Sequence, residues 1–103
     1  MKLEHWDHER DGPLSEAAMI ARLENCGYDC TRYTYPPGTF FPDHCHETDK
    51  MDAVLQGKFR ISMAGESAVL QAGDCLHVPA GMIHSAEVIG DTPVISIDGV
   101  KRR

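Results

Sequence analysis

The run Gly73-Asp74-Cys75-Leu76-His77-Val78-Pro79-Ala80-Gly81-Met82-Ile83-His84 combines a short apolar segment, a Pro-Ala-Gly corner and a histidine just beyond it. Cys75–Val78 has the length of a strand and is fenced on both sides by turn formers, Gly73-Asp74 before it and Pro79-Ala80-Gly81 after it. His84 therefore stands at the entrance to the next strand. Upstream, Gly38 is followed after five residues by His44-Cys45-His46. Successive side chains of an extended chain alternate faces, so His44 and His46 point the same way with Cα atoms roughly 6.6 Å apart. Two imidazoles so placed can lean toward one ion at the roughly 2.0–2.1 Å of a metal–nitrogen bond. Any one of these histidines alone reads as an ordinary surface or turn residue; the three together read as a metal site.

The same punctuation extends in both directions. Tyr28–Tyr35, Thr39–Phe41, Met51–Gln56, Lys58–Met63, Ala68–Gln71, Cys75–Val78, Ser85–Ile89 and Pro93–Asp98 read as short strands, separated by Pro36-Pro37-Gly38, Gly57, Ala64-Gly65-Glu66, Gly73-Asp74, Pro79-Ala80-Gly81 and Gly90-Asp91. Many short strands with turn signals at this spacing define an all-β sandwich or barrel. Alternation places Val54, Phe59, Ile61, Val69, Leu76, Val78, Ile83, Val88, Ile95 and Ile97 in the expected core. Before Tyr28 the pattern changes. Leu3–Trp6 suggests a brief strand, broken by Asp11-Gly12-Pro13. A helix over Leu14–Cys26 follows, with Ser15 as N-cap, Leu14 and Met19 as its apolar staple, and Gly27 as its stop. The expected organisation is residues 1–27 as an arm and helix, with Trp6 and the stripe Met19, Ile20 and Leu23 docked, and residues 28–103 as the barrel.

The segments Gly38-x5-His44-x-His46 and Gly73-x5-Pro79-x-Gly81-x2-His84 resemble the two sequence motifs of the cupin family, small double-sheet jelly rolls. The resemblance covers about half the chain directly, and Lys58–Ala72 separates the motifs. It implies an all-β double-stranded β-helix (jelly-roll) barrel with a short N-terminal helix, in which His44, His46 and His84 are metal ligands. It also sets Gly38, Gly57, Gly73, Pro79 and Gly81 on the family's turn positions. One position departs from the pattern: Lys50 stands where the family carries a ligand glutamate. An ammonium is repelled by a divalent cation, so Lys50 is expected to turn away from the ion. Two outcomes follow: a three-histidine site with open positions, or a shell completed by a nearby carboxylate, for which Asp52, sharing the strand face of Lys50, is the best substitute, with Glu47 and Asp49 as the other candidates.

Composition narrows the partners. The formal net charge is −6, with Lys101-Arg102-Arg103 as the one basic run, which disfavours nucleic acid and anionic membrane surfaces. No apolar run reaches the length of a membrane span and no secretion segment precedes the first strand, so a cytoplasmic location is expected. Cys26, Cys30, Cys45 and Cys75 lack zinc-knuckle spacing and are expected as thiols, Cys45 as a small buried residue on the face opposite the two histidines. His77 is expected on the outer face of its strand. Tyr33, Tyr35, Phe40, Phe41 and Met82 are expected either in the core or lining an apolar mouth.

Three imidazoles leave coordination positions for water, substrate or dioxygen. They suit Fe(II) or Zn first, with Ni, Mn and Cu also accommodated. The expected function is a metal-dependent dioxygenase or related oxidoreductase acting on a small organic substrate. A small-ligand-binding or sensor protein and a metal-dependent isomerase or lyase stand as alternatives. A homodimer is expected, because a small two-sheet domain gains by covering its edges.

Overall fold

A computed structural model describes residues 1–103. Nine strands form two antiparallel sheets. The first sheet has the order β1 (Lys2–Glu4), β7 (Cys75–Val78), β4 (Lys50–Gln56), β9 (Val94–Lys101) and β2 (Tyr28–Tyr35). The second has the order β3 (Phe40–His44), β8 (His84–Ile89), β5 (Lys58–Met63) and β6 (Glu66–Leu70). This is the expected jelly roll. Alternation explains its interior. Val54, Ile61, Leu70, Leu76, Val78 and Val94, each no more than 1 % exposed, close the space between the sheets. Each such side chain contributes about 1.5–3 kcal/mol by leaving water.

The outer face of the first sheet is also covered. Helix α2 (Glu16–Asn25) starts where Ser15 Oγ accepts the Ala18 N–H at 3.0 Å, a cap worth about 1 kcal/mol. Its Met19 and Leu23 pack on Tyr28, Ala53, Cys75 and Ile97 as a second core. Between β1 and α2 lies a one-turn helix, α1 (His8–Asp11), which the sequence reading missed although Asp7 is a good N-cap and accepts the N–H groups of Glu9 and Arg10. Trp6 docks through its N–H to the Gly73 carbonyl at 2.9 Å and its indole Nε1–H to Gly12 at 2.9 Å. Gly73 is required here: a Cβ on it would stand 2.7 Å from Trp6 Cβ.

Three expected core residues differ. Val69 is exposed because β6 is an edge strand whose inward residues are Ala68 and Leu70. Ile83 is 61 % exposed because it precedes β8 and lies outside its alternation. Ile95 is only half-buried, and Val94 takes the inward phase of β9 instead. Cys45 is exposed rather than buried, since the chain leaves β3 at His44 and has no second layer to cover it. No helix is long and apolar enough to cross a membrane.

Candidate metal centre

His44 closes β3 and pairs in register with His84, the first residue of β8. His46 lies two residues beyond the end of β3, so its direction is set by loop contacts and not by strand alternation. The Gly81 N–H donates to the His46 carbonyl at 2.8 Å, and the Ala80 N–H donates to Asp49 Oδ1 at 2.7 Å. These two bonds tie the first histidine segment to the Pro79-Ala80-Gly81 corner of the second. The ring centroids of His44 and His46 lie 4.9 Å apart, those of His44 and His84 4.2 Å, and those of His46 and His84 5.2 Å. One nitrogen from each ring lies within 4.8 Å of the others.

The tautomers follow from the acceptors. His44 Nδ1 lies 2.7 Å from the Pro42 carbonyl and His84 Nδ1 lies 2.9 Å from the Met82 carbonyl. A carbonyl only accepts, so each Nδ1 carries its proton and each Nε2 keeps a bare lone pair. Burial lowers the pKa of His46 and of His84, with the Lys50 charge acting in the same direction on both. Neutral imidazoles are the form a metal ion needs. The donor set therefore fits a divalent ion: three imidazole nitrogens within 4.8 Å of one another, two of their rings oriented by backbone carbonyls.

The cluster opens on a cavity of about 340 Å³, lined by Tyr33, Tyr35, Lys50, Asp52, Ser96 and Asp98 from the first sheet and by Phe41, Phe59 and Ala86 from the second. Tyr35 meets Phe41 edge-on at 5.0 Å and stacks on Phe59 at 5.7 Å. Phe40, by contrast, is 60 % exposed, and Met82 packs against the apolar core. Lys50 does not turn away. Its side chain is 13 % exposed, lines the cavity and pairs with Asp98, with Asp52 Oδ1 at 3.9 Å from its Nζ.

The reason is strand phase. Lys50, Asp52 and Val54 share the inward face of β4, and Asp98, on β9 in register with Asp52, supplies the countercharge that lets an ammonium stay inside. Two carboxylates directly opposite one another repel. Burial, reinforced by the Asp98 carboxylate and opposed by Lys50, pushes the Asp52 carboxyl up, favouring its protonated form.

The carboxylate candidates thus lie in three different places. Asp52 lines the cavity but is not among the donors that converge within 4.8 Å. Asp49 is engaged by Ala80 and lies 3.5 Å from His77 Nε2, and Glu47 is exposed. His77 sits on the outer side of its sheet in that contact with Asp49. Sequence reading missed Asp98 and Ser96. The signal was present in β9, where Val94, Ser96 and Asp98 alternate with Ile95, Ile97 and Gly99 and so share one face.

A two-sheet jelly roll with a histidine cluster at its mouth defines a cupin, and a cupin-domain family model matches residues 31–99; the chain belongs to that family. It is 28% identical over 91 residues to germin-like protein subfamily 1 member 4 of Arabidopsis thaliana, covering 80% of this chain and 41% of that protein, so the chain spans about two fifths of its relative's length. Among solved structures it superposes on an RmlC-like cupin from Shewanella frigidimarina with a TM-score of 0.65 at 26% identity, over 75% of this chain and 68% of that one. It also superposes on a variant of salicylate 1,2-dioxygenase from Pseudoaminobacter salicylatoxidans with a TM-score of 0.64 at 20% identity, over 73% of this chain and 21% of that one. At that identity the last likeness speaks for the fold alone.

Proposed function

We propose that His44, His46 and His84 hold one divalent metal ion and that the protein is a metal-dependent oxidoreductase of the dioxygenase type acting on a small organic substrate. The observation that carries the reading is the pair of Nδ1–H groups fixed on the Pro42 and Met82 carbonyls, which leaves two Nε2 lone pairs free to join a His46 nitrogen at a single point. A bound Fe(II) would supply vacant coordination positions for a chelating substrate and dioxygen together. The chain's own residues supply the rest. Tyr35, Phe41 and Phe59 exclude bulk water from one side of the cavity, which strengthens every polar interaction inside it. Lys50 and Asp98 set the charge of its polar lining.

Asp52, whose carboxyl favours its proton, is a reserve hydrogen-bond donor toward bound substrate and stands outside the metal shell in this reading. The homodimer and a cytoplasmic location remain part of the proposal. Protein prepared without an affinity tag is loaded anaerobically with Fe(II) and screened with diketones, thiols and phenolic acids while oxygen uptake is followed. The expected result is uptake with at least one compound that the His46→Ala variant does not support. If compounds that bind the loaded protein leave uptake at the His46→Ala level, a small-ligand-binding function replaces the enzyme.

A further inference from the structure

Lys50 is the only cationic side chain lining the cavity that holds the three histidines, and its surroundings leave it unsaturated. An ammonium has three N–H donors. Asp98 pairs with it and Asp52 Oδ1, at 3.9 Å, is beyond hydrogen-bonding distance, which leaves donor capacity for a ligand in the cavity that Lys50 lines. Asp98, in direct contact, is the carboxylate that opposes the ammonium most closely. The Tyr35, Phe41 and Phe59 rings line the same cavity as one aromatic cluster, with Tyr35 holding the other two through an edge contact at 5.0 Å and a stacked contact at 5.7 Å. A site with a metal-binding corner, one cation and one aromatic wall in about 340 Å³ sorts ligands by three properties at once.

We infer that the cavity takes a small carboxylic acid with a flat apolar body, the Lys50 ammonium binding its carboxylate and the Tyr35–Phe41–Phe59 wall its ring. The inference rests on the proposed metal site for the chelated end of the molecule, while the carboxylate is read by Lys50 itself. A carboxylate replaced by an uncharged amide of the same shape keeps the ring and the chelating hydroxyl and loses the charge-assisted bond. Lys50 is thus the specificity-determining residue, in a position where a glutamate ligand would reject the same anion.

Two isosteric pairs test it: salicylate against salicylamide, and 3,4-dihydroxybenzoate against 3,4-dihydroxybenzamide, titrated calorimetrically into the Zn(II)-loaded protein. In the Lys50→Met variant at least one acid should lose about tenfold or more in affinity while its amide changes less than twofold, and Lys50→Arg should restore most of the loss. Because Lys50→Met leaves Asp98 unpaired, a Lys50→Met/Asp98→Asn variant repeats the comparison with balanced charge. Equal changes for acid and amide in both pairs, in the variant that folds, overturn the inference.

Zinc uptake is measured on the same samples. If the parent protein takes up none, the metal site fails. The selectivity is then read in the metal-free protein from the NMR shifts of cavity amides, where the same loss for the acid on Lys50→Met is expected and its absence is equally decisive.

Discussion

The two ends of the barrel interior are built from the same strands and differ in chemistry. Along the inward face of β4 the residues run Val54, Asp52, Lys50; along β9, Val94, Ser96, Asp98; along β8, Val88, Ala86, His84. In each strand two steps of the pleat convert a valine into a charged or metal-binding group. At the apolar end the side chains form one apolar cluster, and Val54 and Val94 are fully buried. At the polar end every buried side-chain nitrogen and oxygen has a hydrogen-bond partner, and the groups are either oriented by carbonyls or paired across strands. Stability is concentrated at one end and chemistry at the other, so the two can be perturbed separately.

The largest separation is expected from Leu70→Ala at the apolar end, where Leu70 pairs with Phe59 and Phe59 with Val88. It should cost about 2–5 kcal/mol, because the site is fully enclosed and collapses poorly around the lost methyls. Denaturant titration reads the loss, and zinc stoichiometry of the remaining folded protein should be unchanged. At the polar end, His84→Ala should do the opposite. Metal affinity in a chelator competition should fall at least about a hundredfold, since one of three neutral nitrogens is gone. Full stoichiometric metal in that variant would falsify the ligand assignment.

Lys50→Glu sharpens the contrast by placing a third carboxyl beside Asp52 and Asp98. The metal-free protein should melt earlier, through like-charge repulsion, while metal affinity rises about tenfold as a positive charge becomes a negative one. Unchanged affinity would mean that the side chain at this position does not sense the ion.

The smallest effect expected is a pH-dependent one at Asp52. The folded chain holds this proton more tightly than the unfolded chain does. The resulting stability is fully present below the unfolded carboxyl value of about 3.9 and is lost as pH rises through the higher folded value. Asp52→Asn removes that slope. Its stability relative to the parent should be constant at acid pH and improve steadily between pH 4 and pH 8, as thermal melts across that range will report. A constant difference over the whole range would mean that the Asp52 carboxyl ionises no later than an ordinary one.

Much of this was legible in the chain, for local reasons. Strands such as Tyr28–Tyr35, Lys58–Met63 and Cys75–Val78 match because Gly, Pro and Asp punctuate them. Helix α2 begins at its capping serine. The three histidines converge as their spacing suggested, although His46 gets there through the Gly81 bond to its carbonyl and not through a strand. The Lys50 expectation failed instructively. Alternation with Val54 already placed Lys50 inside, but repulsion by an ion was allowed to outweigh it. The countercharge that reverses the balance, Asp98, stands 48 positions away in sequence. Ile83 and Val69 show the same limit from the other side: their apolar character was plain, but exposure followed from a loop position and a sheet edge.

By itself, then, the amino-acid order determined the elements, their inward and outward faces, and the histidine ligand type, because turn chemistry and the period of the pleat act over a few residues. Tertiary structure alone decided which faces share a cavity: it set Asp98 opposite Asp52, brought Tyr35, Phe41 and Phe59 into one cavity with the histidines, and kept a lysine in the same lining. Cross-strand register joins residues that are distant in the chain, and the energy of a buried charge depends on its nearest countercharge, which no local pattern contains.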